Sequence, residues 1–181
     1  MARRGIGPHH GPLQPPQFRL DADALADAFS DRTKLVILNN PLNPSATVFG
    51  REDLALLASF CTRHGVVAVC DEVWEHIVFD GARHCPLMAF PGMRDRTVKI
   101  GSAGKIFALT GWKVGWMCAA PGIARRLVES MALAQQAAVL LAHAPAPVAE
   151  AFCLARLGDD RSAEYGALPD GVDIRALVER A

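Results

Sequence analysis

Residues 101–116 read GSAGKIFALTGWKVGW, and this stretch decides how the rest of the chain is interpreted. The run Thr97–Gly101 ends in it and predicts a short β-strand, which Lys105 follows closely. A second lysine, Lys113, stands eight positions further on. The Gly-Lys pair superficially matches the end of a P-loop, but Ile106 stands where that motif requires serine or threonine. The first lysine therefore needs a different explanation.

Two further strands are predicted upstream. Lys34–Asn39 and Val66–Cys70 are short apolar runs typical of buried strands, and Arg51–His64 between them carries apolar residues at helical spacing. Strand, helix and strand within about 40 residues form a βαβ unit, so the two strands should be parallel. The predicted fold class is α/β, with a mostly parallel sheet flanked by helices.

Polar residues follow the ends of these strands. Asn43 lies in the loop after the first strand, Asp71 follows the second, and Ser102 follows the third with Lys105 just behind it. In open α/β sheets, ligands bind beyond the carboxyl ends of the parallel strands, so these residues should share one site. An amine, an acid and an amide in this arrangement suggest pyridoxal 5'-phosphate (PLP), held by the lysine as a Schiff base.

Three segments together, residues 39–44, 71–74 and 101–116, resemble the signature blocks of the fold-type I PLP-dependent aminotransferases. The likeness is greatest to the kynurenine/glutamine/methionine transaminase and cysteine-conjugate β-lyase group, and it runs from about Leu13 to about Leu157. The resemblance implies transamination between an amino acid and a 2-oxo acid. The same residues could instead serve β-elimination from cysteine conjugates, because the choice depends on groups outside the matched segments.

The resemblance also implies a role for each matching residue. Lys105 corresponds to the catalytic lysine that forms the Schiff base, and Asp71 to the acid that pairs with the pyridine nitrogen. Asn43 corresponds to the asparagine that hydrogen-bonds the phenolic oxygen of the cofactor. Ser102 and Lys113 correspond to two of the ligands of its phosphate.

Two positions depart from the family pattern. Trp74, which we include among the cofactor-binding residues, stands where the family has a tyrosine whose hydroxyl also bonds the phenolic oxygen. An indole can only donate a hydrogen bond, whereas a phenol can donate or accept. Ala46 stands where a glycine is usual after the Asn-Pro turn. Both departures bear on whether the chain is active.

Each site residue also has an ordinary structural interpretation. Asp71 can cap the turn of helix predicted at Glu72–Ile77, and Asn43 can be a turn residue before a proline. Ser102 can be a helix N-cap, and a single lysine is commonly a solvated loop residue. The spacing of these residues along the chain favours the shared site.

Composition sets broad limits on the protein. The chain has 181 residues, of which 51% are hydrophobic, so it can bury a core and is not disordered. Its 19 basic and 19 acidic residues cancel, which gives no indication of nucleic-acid binding. The five cysteines contain no CxxC pair, which fits a reduced, cytoplasmic protein without a structural zinc site. No apolar run is long enough to span a membrane.

Several side chains are expected to have structural roles only. His64, His76 and His84 lack the spacing of metal ligands, and we predict that they are surface or helix-end residues. Trp112 and Trp116 are interpreted as core or interface packing residues and not as groups that stack on a ring. Further elements are predicted at Asp21–Phe29 (helix), Trp112–Ala119 (strand), Pro121 to about Leu141 (helix) and Asp173–Ala181 (weak helix).

We divide the chain into an irregular Gly/Pro-rich lead at residues 1–17, a partial PLP-binding large domain at residues 18–157 and an unmatched tail at residues 158–181. The resemblance implies relatives more than twice as long, so we expect a truncated fragment. A complete protein of this family is expected to be a homodimer. The fragment alone could be a non-catalytic remnant that at most binds PLP.

Overall fold

The computed structural model describes residue 13, residues 18–158 and residues 168–179. Apart from Leu13, the predicted lead at residues 1–17 lies outside the described residues, as does much of the predicted tail. The strands are β1 (Leu35–Asn39), β2 (Val67–Asp71), β3 (Thr97–Ser102) and β4 (Gly115–Cys118). The helices are α1 (Ala22–Ala28), α2 (Arg51–His64), α3 (Ala103–Ile106), α4 (Pro121–His143), α5 (Ala146–Leu157) and α6 (Ile174–Val178).

The four strands form one sheet in the order β1-β2-β3-β4. β1 and β2 are parallel and joined through α2, as the βαβ pattern predicts, and β3 is parallel to β2. β4 is antiparallel to β3, since only α3 and the short 3-10 turn Thr110–Trp112 lie between them and the chain simply reverses. The predicted α/β fold with a mostly parallel sheet is confirmed.

Helix α2 has the bounds that its sequence predicts. Its N-cap is Gly50, whose N–H donates to the carboxylate of Asp53 over 3.2 Å. The same buried carboxylate accepts from the backbone of Leu20 and the side chain of Arg19. Gly65 ends the helix at φ +65°, a left-handed conformation that glycine adopts at little cost.

The core of the sheet-bearing part joins the apolar side of α2 to the strands. A fully buried leucine such as Leu54 contributes roughly 1.5–3 kcal/mol to such a core. On β2, Ala68 and Cys70 face the core together because side chains on a strand alternate between its two faces. The buried cluster consists of Phe29, Leu38, Phe49, Leu54, Leu57, Ala58, Phe60, Cys61, Val66, Ala68, Cys70, Leu87, Phe90 and Met93.

The prediction that Lys34–Asn39 is a buried strand is wrong for one face of β1. Leu35 and Ile37 are 50% and 72% exposed, whereas the alternate residues Val36 and Leu38 pack on the core. Among the described strands, β1 pairs only with β2, so it is an edge strand with an uncovered apolar face.

From Arg125 onward, the described residues form a second compact unit. It holds most of α4, together with α5 and α6, and its buried side chains on α5 are Ala149, Ala151 and Ala155. Helix α5 was not predicted, because Pro145 and Pro147 suggest a break. Both fit at the start of a helix, where a missing N–H costs no hydrogen bond. No helix in the described ranges is long and apolar enough to cross a membrane.

Candidate active site

The carboxyl ends of the parallel strands meet at one edge of the sheet. Asn39 pairs with Asp71, and Asp71 pairs with Ile100 on β3, two residues before Ser102. The side-chain amide of Asn39 donates to the carbonyl oxygen of Asp71 over 3.2 Å and accepts the N–H of Asn43 over 2.7 Å. The structure therefore brings the loop of Asn43 to the end of β2, as the site prediction requires.

Asn39 is a positioning residue that is missing from the predicted set. Its amide joins the ends of β1 and β2 to the loop that follows β1. The signal for it in the sequence is the asparagine that ends the strand, two positions before Pro41. At the end of a strand, polar side chains can form hydrogen bonds with backbone groups that no longer pair with a neighbouring strand.

The loop after β1 contains the departure at Ala46. Its φ is +58°, in the left-handed region where a side chain is crowded by the backbone. Its N–H donates to the carbonyl oxygen of Leu42 over 2.8 Å. The backbone at this position is therefore one that a glycine would adopt more easily, which agrees with the family's usual residue.

One carboxylate oxygen of Asp71 caps the turn that follows β2. The N–H of Val73 donates to Oδ1 over 3.3 Å, so the ordinary structural interpretation of this acid is correct. Oδ2 has no hydrogen-bond partner among the described residues, and the side chain is half-buried. Capping thus leaves one oxygen free for a second role.

The segment after Asp71 forms successive turns and not the predicted turn of helix at Glu72–Ile77. The N–H of Ile77 donates to the carbonyl oxygen of Trp74 over 2.7 Å, an i to i+3 bond. These turns place the Trp74 indole against α3, where Nζ of Lys105 lies 4.5 Å from the ring centroid. Two predicted site residues from different loops are therefore in direct contact.

Ser102 and Lys113 lie on the two sides of the β3–β4 turn. Ser102 is the N-cap of α3, but its hydroxyl makes no capping bond. It pairs across the sheet with Gly115, two positions after Lys113. Lys113 is exposed and has φ +53°. Ser102 and Lys113 are therefore close along the paired strands, as two ligands of one anion would be. The assignment of both residues as phosphate ligands stays a prediction.

A cavity of about 720 Å³ lies beside these loops. Asn43 and Trp74 line it, and its other walls are mainly the apolar side chains Leu42, Val48, Ile77, Val78 and Phe79. Asp71, Ser102, Lys105 and Lys113 are not among its lining residues. Of the six predicted site residues at this edge of the sheet, only Asn43 and Trp74 line the cavity.

A second polar cluster near the site involves a residue that the sequence places wrongly. His84 is not a surface residue, since its side chain is only 8% exposed and its Nε2 lies 2.9 Å from Oε2 of Glu72. Lys99 on β3 lies between Glu72 and Glu75. These contacts join residues 12 to 27 positions apart along the chain, as from Glu72 to His84 and Glu72 to Lys99. No local pattern in the sequence could have indicated them.

Tryptophans 112 and 116 differ in their surroundings. Trp116 lies across the sheet from Gly101, with its indole against the space where a side chain would be. Trp112 is exposed and takes no part in the described core. The packing interpretation is therefore confirmed for Trp116. Packing of Trp112 in the core is wrong, and its packing at an interface stays a prediction.

Residues 2–165 match the sequence pattern of the aminotransferase class I and II family. The match covers most of the chain, and the chain belongs to this family. Members of the family use pyridoxal 5'-phosphate, so the cofactor predicted from the residues is that of the family.

Individual relatives are similar to limited parts of the chain. Human kynurenine–oxoglutarate transaminase 1 is 48% identical over 110 residues, which are 61% of this chain and 26% of the relative. The probable N-succinyldiaminopimelate aminotransferase DapC of Mycobacterium tuberculosis is 50% identical over 101 residues, 56% of this chain and 25% of the relative. The chain therefore spans about a quarter of the length of these curated relatives.

Solved structures give the same result. The structure of Escherichia coli YbdL, reported with a methionine aminotransferase function, matches with a TM-score of 0.60 and 45% identity. The match covers 62% of this chain and 30% of that protein. The similarity thus confirms both the family and the α/β fold over the part that is shared.

Proposed function

We propose that this chain carries the cofactor-attachment part of a PLP-dependent aminotransferase, with Lys105 as the residue that forms the Schiff base. The observation that carries the proposal is the contact between Trp74, three residues after Asp71, and Lys105, three residues after Ser102. It brings two of the three family segments together at the edge of the sheet where α/β proteins bind ligands.

The donor set of the described residues fits the cofactor. Lys105 offers an exposed primary amine that an aldehyde can reach. Asp71 keeps one carboxylate oxygen without a hydrogen-bond partner in the described part of the chain. Ser102 has a hydroxyl that is not used for capping, and Lys113 lies in the β3–β4 turn two residues before Gly115, the strand partner of Ser102. Asn43 completes the set with a side-chain amide on the neighbouring loop.

Each residue then has a defined task. PLP, when bound, supplies an electron-withdrawing ring that makes the Cα proton of an amino acid acidic. The carboxylate of Asp71 stabilises the protonated form of the pyridine nitrogen, because an opposite charge favours the charged species. The amine of Lys105 accepts and returns the proton at the substrate Cα. Asn43 donates to the phenolic oxygen, while Ser102 and Lys113 hold the phosphate.

For the complete protein we propose an amino acid and a 2-oxo acid as substrates, and a homodimer as the assembly. β-Elimination from cysteine conjugates is the alternative reaction, since the residues named here serve both. For the chain as given, a cofactor-binding remnant without turnover is a second candidate. The exposure of Lys105 favours the remnant without turnover, because a catalytic base at this position needs surroundings that exclude water.

The test is to add PLP to the purified chain and follow a visible absorption band in the wild type and in Lys105→Ala. Reduction with borohydride followed by peptide mapping then identifies the modified lysine. We expect modification at Lys105 and loss of the band in the variant, while Lys34→Ala, an exposed lysine elsewhere, keeps it. A band that Lys105→Ala leaves unchanged would refute the assignment, and bleaching of the band by amino acids would separate the aminotransferase from the remnant.

A further inference from the structure

Four charged or titratable side chains form a cluster beside the candidate site. Glu72 and His84 are 1% and 8% exposed, and Glu75 and Lys99 are 12% and 17% exposed. Charges removed from water to this extent are costly unless they are paired. The cluster therefore persists only if its members satisfy one another.

Lys99 is the shared cation of the cluster. Its ammonium group donates a hydrogen bond to Glu75 and lies 3.5 Å from Oε2 of Glu72. Burial lowers the pKa of Lys99, but the hydrogen bond and charge of Glu75 together with the charge of Glu72 outweigh burial and raise it overall. Lys99 is therefore an ammonium ion at neutral pH.

His84 joins the cluster from the other end of the same loop. Its Nε2 lies 2.9 Å from Oε2 of Glu72, within hydrogen-bond distance. Glu72 and Glu75 thus bind the start of segment 72–84 to β3 through Lys99, and His84 binds its end to Glu72. The segment between these anchors carries Trp74 and the cavity wall at residues 77–82.

A metal ion is the competing explanation of this cluster. Glu72, Glu75 and His84 each offer a ligand atom, and these atoms lie within 4.8 Å of one another. The ammonium group of Lys99 already contacts both carboxylates and supplies the positive charge that a cation would bring. Lys99 therefore supplies the compensating cation without a metal, while Nδ1 of His84 has no hydrogen-bond partner among the described residues.

We propose that Lys99 and Glu72 are positioning residues, and that their buried network fixes segment 72–84 on β3 and thereby sets Trp74 against Lys105. The consequence for cofactor attachment rests on the proposed function of Lys105, whereas the anchoring of the segment does not. Lys99 is well placed for this task because it lies three residues before Ser102 on the strand that leads into α3.

The test compares Lys99→Met, Lys99→Arg and Glu72→Gln in the full chain, with Lys34→Met as the matched control on an exposed lysine outside the network. Hydrogen exchange of peptides covering residues 73–83 reports the anchoring without any cofactor. We expect Lys99→Met to raise exchange there by about tenfold or more, because a charged hydrogen bond is lost and two carboxylates stay buried. Lys99→Arg should restore most of the protection, since it keeps the cation.

The affinity for PLP is measured on the same variants. We expect it to fall in Lys99→Met and to recover in Lys99→Arg. Unchanged exchange and affinity in Lys99→Met, or an arginine variant as impaired as the methionine variant, would overturn the proposal. If Lys99→Met does not fold, Glu75→Gln is the alternative variant. It is a smaller change that weakens only the contact between position 75 and Lys99, and it must raise hydrogen exchange in the same segment.

Failure of the two proposals can be told apart. If PLP does not attach to the wild-type chain, the proposed function fails, and hydrogen exchange alone decides whether the network anchors the segment. If PLP attaches at Lys105 and the network variants change neither exchange nor affinity, only the positioning role fails.

Discussion

Nζ of Lys105 lies 4.5 Å from the centroid of the Trp74 ring, so a residue that follows β2 contacts a residue that follows β3. Such a cation–π contact at an exposed site is worth about 0.5–1 kcal/mol. A double-mutant cycle of Trp74→Ala and Lys105→Met, measured by urea unfolding, should give a coupling of that size. A coupling within about 0.3 kcal/mol of zero would show that the two loops are not joined by this contact.

The identity of the aromatic residue at position 74 should affect cofactor binding. In Trp74→Tyr a phenol replaces the indole and can donate to or accept from the phenolic oxygen of PLP. We expect PLP to bind about fivefold more tightly, which corresponds to one additional hydrogen bond of about 1 kcal/mol. Trp74→Phe is the matched control because it has the same ring without the hydroxyl. Equal affinities in the two variants would contradict a role for the hydroxyl at this position.

Ala46→Gly should stabilise the chain. Ala46 has φ +58°, and an L-residue in this region costs about 1–2 kcal/mol, while the added freedom of glycine in the unfolded chain costs about 0.5–1 kcal/mol. The expected net gain in the free energy of unfolding is about 0.5–1 kcal/mol, measured by urea denaturation. Ala58→Gly within α2 is the control, since a glycine there should destabilise. A loss of stability in Ala46→Gly would mean that the loop is not strained.

Local features of the fold could be predicted from the sequence because their causes are local. The bounds of α2 follow from Gly50, Gly65 and the spacing of apolar residues between them. The parallel pairing of β1 and β2 follows from the length of the helix that joins them. The exposure of Ile37 could not be predicted, because an apolar run does not reveal whether another strand covers its outer face.

The candidate site was only partly predictable for a related reason. Asp71 and Ser102 end their strands and Asn43 lies in the loop after β1, and parallel strands necessarily bring their carboxyl ends to one edge. The burial of His84 depends on Glu72, which is twelve positions away and on the far side of an irregular segment. Periodicity carries no information about contacts across such a segment, so a histidine there is assigned to the surface by default.

Gly101→Ala should destabilise the sheet. Gly101 pairs with Trp116 across the β3–β4 ladder, and a Cβ built at Gly101 would overlap the indole of that tryptophan. The expected loss is about 1–3 kcal/mol, as for other overpacked positions, measured by urea unfolding. Gly111→Ala is the control because nothing lies within 4 Å of a Cβ built there. Adding Trp116→Leu to Gly101→Ala should recover part of the loss, and failure to do so would point to another cause.

The buried thiols should be unreactive in the folded chain. Burial raises the pKa of Cys61 from 9.0 to about 11 and that of Cys70 to about 12, since it disfavours the charged thiolate. At pH 8 the thiolate fraction of Cys61 is therefore about a hundredfold below that of an ordinary thiol. Alkylation followed by peptide mapping should modify the exposed Cys118 first, and the two buried thiols only after urea is added.

The same two pKa values predict how stability depends on pH. The folded state binds the thiol protons of Cys61 and Cys70 more tightly than the unfolded state does. Their contribution to the free energy of unfolding is therefore complete below pH 9.0 and decreases as the pH rises towards 11 and 12. Cys70→Ala is the informative variant, because it removes the thiol with the higher pKa and should flatten the alkaline decrease in the free energy of unfolding. Rapid alkylation of Cys61 at pH 8 without denaturant would contradict its place in the core, since modification requires a thiolate that the reagent can reach.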